Sequence, residues 1–195
     1  MKIAELILAG IAFIGLLTNL LVLPGGGAIL VVFLSTLSMF YLSLSFLIFN
    51  PEIISKQPAD QVRSKAKPLR IIGSVGTGIG LSIALVGILF KMMHWPGSAA
   101  MLLVGGVVIG IVAVIATIRF MTTKSVFYKN IFIRTSVIGL ITLILYMLPP
   151  YALLKFKYKE YPNYIEAVKR SNENPQNEEL SKKVAEEREL IIRSR

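Results

Sequence analysis

Residues 71–120 read IIGSVGTGIGLSIALVGILFKMMHWPGSAAMLLVGGVVIGIVAVIATIRF, two apolar runs parted by the short polar break His94-Trp95-Pro96-Gly97. Apart from Lys91 and Arg119 neither run carries a charge. About 20 mainly apolar residues in a helix cross the roughly 30 Å hydrocarbon slab of a bilayer. Inside that slab a helix satisfies its own backbone donors and acceptors, which an open strand or loop cannot do. The stretch therefore predicts two transmembrane helices, Ile71 to Met93 and Ala99 to Phe120, folded back on each other as a hairpin.

The same design occurs earlier in the chain. Ile3 to Leu23 and Ala28 to Phe49 are apolar runs of spanning length, joined by Pro24-Gly25-Gly26-Gly27, a turn by composition. A shift of 72 residues lays Gly15-Leu16-Leu17 on Gly87-Ile88-Leu89, Pro24-Gly25 on Pro96-Gly97, and Ala28-Ile29-Leu30 on Ala100-Met101-Leu102. This predicts a duplicated two-helix unit, and because both copies start on the same side of the membrane the repeat is parallel. The first run follows Lys2 and resembles a secretory signal, but its length, Glu5 at its start and its internal counterpart make it helix one. A fifth span is expected from about Ile131 to Leu154.

The fold class is thus an all-α integral membrane protein. Its expected parts are a first transmembrane hairpin (1–49), a basic loop (50–70), a second hairpin (71–120), a loop with the fifth span (121–154) and a charged helical tail (155–195). In that tail, helices are expected after Pro162 and after Pro175, with Glu178/Lys182 and Glu179/Lys183 spaced for i,i+4 pairing.

A chain of 195 residues that is 54% apolar and has a mean hydropathy of +0.69 exceeds what a small soluble core can bury. The net charge of +10 lies between and after the spans. It suits loops beside anionic lipid, and no nucleic-acid-binding motif accompanies it. Lys56, Arg63, Lys65, Lys67 and Arg70 outweigh Glu52 and Asp60 in the first connection, and Lys124 and Lys129 mark the second. Cytoplasmic placement of both puts the amino terminus inside and the two Pro-Gly turns outside. With five spans the tail then shares the side of the turns, although Lys155, Lys157 and Lys159 argue for the inside.

Catalysis finds no foothold. There is no cysteine and only one histidine, so neither a thiol nucleophile nor a Ser-His-Asp set is available. No phosphate-binding glycine loop and no metal-ligand cluster is present, so no cofactor and no metal is expected. The candidate functional residues are Lys91, His94, Trp95, Pro96 and Gly97, with Asn19 at the position matching Lys91 in the first unit. Ionisable groups at the end of a span are costly and mark function. The plainer reading is that Lys91 snorkels, His94 caps the turn and Trp95 sits in the aromatic belt. A second set is expected to pack helices. Gly73, Gly76, Gly80, Ala84 and Gly87 recur at spacings of three and four, and Gly106 and Gly110 continue the small-residue pattern in the next span.

The string Gly87-x-Leu89-Phe90-Lys91-x-x-His94, followed by a small-residue turn and Met101-Leu102, resembles the membrane hairpin of GldL, the inner-membrane motor subunit of gliding motility and type IX secretion in Bacteroidota. The resemblance covers the third and fourth helices. It implies a bacterial inner-membrane location and packing against other membrane subunits, as GldL surrounds the helices of GldM. In that family a carboxylate in the hairpin's second helix matters for proton-driven motion. Here Ile109 falls at that place and no acid lies between His94 and the end of the fourth helix. The reading is therefore a GldL-like, non-enzymatic subunit or scaffold of an envelope complex, partnered by lipid and by membrane proteins or by itself. The alternatives are a small transporter or channel lined by Lys91 and His94, and a proton-driven motor subunit.

Overall fold

The computed structural model describes residues 2–50 and 68–193. The basic connection expected over 50–70 lies, from 51 to 67, outside these residues. Five long helices form the bundle: α1 (Lys2–Leu20), α2 (Gly26–Phe49), α3 (Pro68–Met93), α4 (Ser98–Thr123) and α5 (Val126–Met147). Three shorter ones follow: α6 (Ala152–Lys157), α7 (Pro162–Glu173) and α8 (Glu178–Arg193). Among the described residues there is no strand.

All five long helices have the length and composition to cross a membrane, and their exposure follows from that. α4 has the highest mean hydropathy of the five, 2.8, yet only 22% of its apolar window is buried. Water would not tolerate the rest. Val107, Ile111, Val114 and Ile118 lie exposed along one face of α4 at spacings of three and four, and Val137, Leu140 and Ile144 do so on α5. In a multi-pass membrane protein these faces meet lipid tails.

The helices pack in chain order, α1 on α2, α2 on α3, α3 on α4 and α4 on α5, with α5 also lying against α3. α3 is the centre, and 56% of its apolar window is buried. Its small residues set the approach distances. A Cβ on Gly78 would meet the Tyr41 carbonyl oxygen of α2 at 2.5 Å, and one on Gly105 would meet the Ala84 backbone at 2.7 Å. Of the expected packing set, Gly80, Ala84 and Gly87 face α4, Gly73 approaches Phe127 of α5, and Gly106 approaches Thr142. Gly76 and Gly110 have open space where a Cβ would go. The closest contacts thus include Gly78 and Gly105, which the expected stripe left out.

The fifth span departs from the expected Ile131 to Leu154. It begins earlier, after a break of only Lys124-Ser125, and ends at Met147. Leu148 is extended (φ −67, ψ 131) because the following Pro149 crowds a residue in helical conformation. Leu154 belongs to α6, where it is fully buried with Tyr164, Val168 and Ile191 in a small core of the tail's own. α7 and α8 pack against each other on it. The i,i+4 ion pairs of the tail are Glu166–Arg170 and Glu189–Arg193; Glu178/Lys182 and Glu179/Lys183 form none. All these side chains are solvated, where such a pair is worth a few tenths of a kcal/mol. Asn177 caps α8, its Oδ1 accepting from the Glu179 and Leu180 amides.

Candidate functional site

The two hairpin turns close on the same pair of backbone hydrogen bonds. α1 and α3 each close with a residue in the left-handed region, Val22 (φ 55) and His94 (φ 60), one repeat apart. The Val22 amide donates to the Asn19 carbonyl at 3.2 Å and the Leu23 amide to Thr18 at 2.9 Å. The His94 amide donates to Lys91 at 3.4 Å and the Trp95 amide to Phe90 at 2.9 Å. This is the paired closure that satisfies the last carbonyls of a helix and reverses the chain. In the second copy the Trp95 ring also meets Phe90 edge-on, with centroids 5.2 Å apart. Gly25 (φ 80) and Gly97 (φ 84) then open α2 and α4 from the same left-handed geometry. Above the turns, a Cβ on Gly15 would meet the Leu30 amide at 2.8 Å and one on Gly87 the Leu102 amide at 2.9 Å.

Helix α3 stops at Met93, so Lys91 and His94 do not stand on one continuing helix face. They still share a cavity of about 280 Å³ with Pro96, Gly97, Pro150 and Tyr151. The Lys91 ammonium donates to the Leu148 carbonyl at 3.0 Å. That carbonyl is left without a helical partner where Pro149 ends α5, and a cation there also suits the negative end of the helix dipole. The His94 carbonyl accepts from Asn172 Nδ2 of α7 at 2.9 Å. Asn19, 8% exposed, accepts from Lys157 of α6 at 2.8 Å. The tail is therefore fastened across the ends of both hairpins and shares the end of the bundle that carries the two Pro-Gly turns.

A second cavity, of about 620 Å³, lies between the hairpin ends and the tail. Asn19, Met93, His94, Lys157, Arg188 and Trp95 are among its lining. His94 Nε2 is buried and has no hydrogen-bond partner. Burial, then the charges of Lys157 and Lys91, lower the His94 pKa from the ordinary 6.5 to about 3, so the ring is neutral at pH 7. Burial, followed by the nearby charge of Arg188, lowers Lys157 to about 8. Burial raises the Tyr164 phenol to about 12.

At the opposite end of the bundle stands a cluster that sequence reasoning missed. Glu5 of α1 is held bidentately by Arg134 of α5, Nε to Oε1 at 2.5 Å and Nη2 to Oε2 at 2.6 Å. The Tyr41 hydroxyl of α2 also donates to Glu5, at 2.6 Å. The two charged side chains are only 12% and 15% exposed, and Phe49 lies under the guanidinium at 5.5 Å. The signal was present. Glu5 marks the start of one span and Arg134 lies within the apolar run of another. Ile109, the place where the resemblance to GldL would put an acid, is buried beside Gly80 and Gly139.

Comparison with protein-family models, with curated proteins and with solved structures finds no match for this chain.

Proposed function

We propose that this protein is a GldL-like subunit or scaffold of a bacterial envelope complex, of the kind that serves gliding motility or type IX secretion, and that it acts by helix packing rather than catalysis. The observation that carries this reading is the use made of the GldL-like string. Lys91 ends on the Leu148 carbonyl, the His94 carbonyl holds Asn172, and Gly87 seats α4 against α3. The Lys91 ammonium and the His94 carbonyl are thus spent on joining helices, which supports a packing role. The exposed faces of α4 and α5 add the apolar surface that another membrane subunit would cover.

Affinity purification of the tagged protein from native membranes in mild detergent, with Lys91→Ala and His94→Ala variants alongside, tests it. Envelope-complex subunits should accompany the wild-type chain, and Lys91→Ala should recover fewer of them. Purification of the chain alone in all three cases would overturn the reading.

A further inference from the structure

We propose that the cavity between the hairpin ends and the tail binds a phosphate group at the membrane boundary, with Lys157 and Arg188 as its charge partners. Both cations line the cavity and neither forms an ion pair among the described residues. Glu189, the one acid among the described lining residues, pairs with Arg193 at 2.7 Å. Among the described residues the space therefore holds two positive charges with no anion committed to them. A guanidinium and an ammonium facing one volume repel unless an anion lies between them, and phosphate accepts from both.

Position and lining suit a phosphate group carried at the membrane boundary. Asn19 at the end of α1, Met92 and Met93 at the end of α3, and His94 of the turn line the cavity, which places it where spans leave the hydrocarbon and lipid phosphates lie. Its volume of about 620 Å³ falls within the range for organic ligands and so has room for a phospholipid headgroup. Met92, Val168 and Ile192 supply apolar wall beside the charges, as the glycerol and upper acyl carbons of a phospholipid require. Lys157 already donates one proton to Asn19, which fixes its ammonium and leaves its other protons for a ligand. Arg188 reaches over from α8, its Nη2 lying 3.8 Å from where a Cβ on Gly27 would stand. The same chemistry is offered by an anionic phospholipid headgroup and by free phosphate.

The single tryptophan, Trp95, lines the cavity and reports on it. The full-length protein is placed in nanodiscs of phosphatidylcholine, whose choline cancels its phosphate, and inorganic phosphate is titrated at constant ionic strength and pH 7. A second set of nanodiscs contains phosphatidylcholine and phosphatidylglycerol in equal parts. Trp95 emission and the thermal midpoint are read in both. A saturable response to inorganic phosphate identifies the free ion as a ligand, and a raised midpoint confined to the phosphatidylglycerol discs identifies the lipid. Arg188→Gln should weaken half-saturation by inorganic phosphate by about tenfold, or abolish the rise in midpoint in the phosphatidylglycerol discs, and Lys157→Gln should do likewise. Lys155→Gln, an exposed charge outside the cavity, should leave it unchanged. Silence in both arms, or equal losses from Arg188→Gln and Lys155→Gln, overturns the proposal.

Discussion

The two hairpins share a backbone and differ in what they hold. Gly15 against Leu30 and Gly87 against Leu102 differ by 0.1 Å, and Val22 and His94 take the same left-handed turn. Yet the first hairpin is tied to α5 by Glu5–Arg134 at the open end, whereas the second is tied to it by Lys91–Leu148 at the turn end. Burial differs too, 17% of the apolar window in α1 against 56% in α3. Repetition here preserves the way a chain reverses in a membrane. The polar fastenings are specific to each copy.

The sharpest way to break the comparison is to remove the first fastening. Glu5→Gln or Arg134→Ala leaves a buried charge without its partner and should cost about 3–5 kcal/mol. Denaturant unfolding in detergent micelles reads the loss, and the double substitution should cost less than the sum of the singles. A result below about 1 kcal/mol for each single change would show that α1 is held by packing alone.

A smaller effect is expected from Lys91→Met, which keeps the stem and removes the donor to Leu148. Loss of a charged hydrogen bond should cost about 1.5–3 kcal/mol. The matching change in the first hairpin, Asn19→Leu, removes the acceptor of Lys157 and should release the tail without loosening α5. Protease accessibility of α7 and α8 distinguishes the two outcomes.

Acid should separate the hairpins through His94. With the tail docked its pKa is about 3, and in an undocked chain it returns towards 6.5. The undocked form therefore binds more protons between these values, so docking is strongest above pH 6.5 and weakens as pH falls towards 3. The loss is at most about 1.4 kcal/mol per pH unit. Trp95 emission followed from pH 8 to 4 should report it, and His94→Gly should flatten the profile. The smallest effect is expected from Val22→Gly. It relieves a left-handed β-branched residue at an entropic cost, for a gain of about 0.5 kcal/mol, visible as a slightly higher thermal midpoint.

The spans and the repeat were readable because length and hydropathy fix a membrane helix and Pro-Gly marks its reversal. Where α5 stops was misread, since an apolar run continues through Leu153 and Leu154 and only the effect of Pro149 on Leu148 ends the helix. The small-residue stripe identified α3 as a close-packed helix. It could not say that Gly78 meets α2 and that Gly105 meets Ala84, because spacing gives a face and not a neighbour. Lys91 and His94 stand out in the sequence, yet the acceptor of one and the donor to the other come from Leu148 and Asn172, far along the chain. Glu5 and Arg134 stand 129 positions apart, a pairing that only the closed bundle creates.

The bond from Lys91 to Leu148 also has a meaning in time. A ribosome delivers the second hairpin well before it delivers the carbonyl that Lys91 needs, 57 positions later. Until Leu148 has been made, that ammonium has no such carbonyl to donate to. Delivery of the fifth helix, and not insertion of the hairpin, supplies the acceptor.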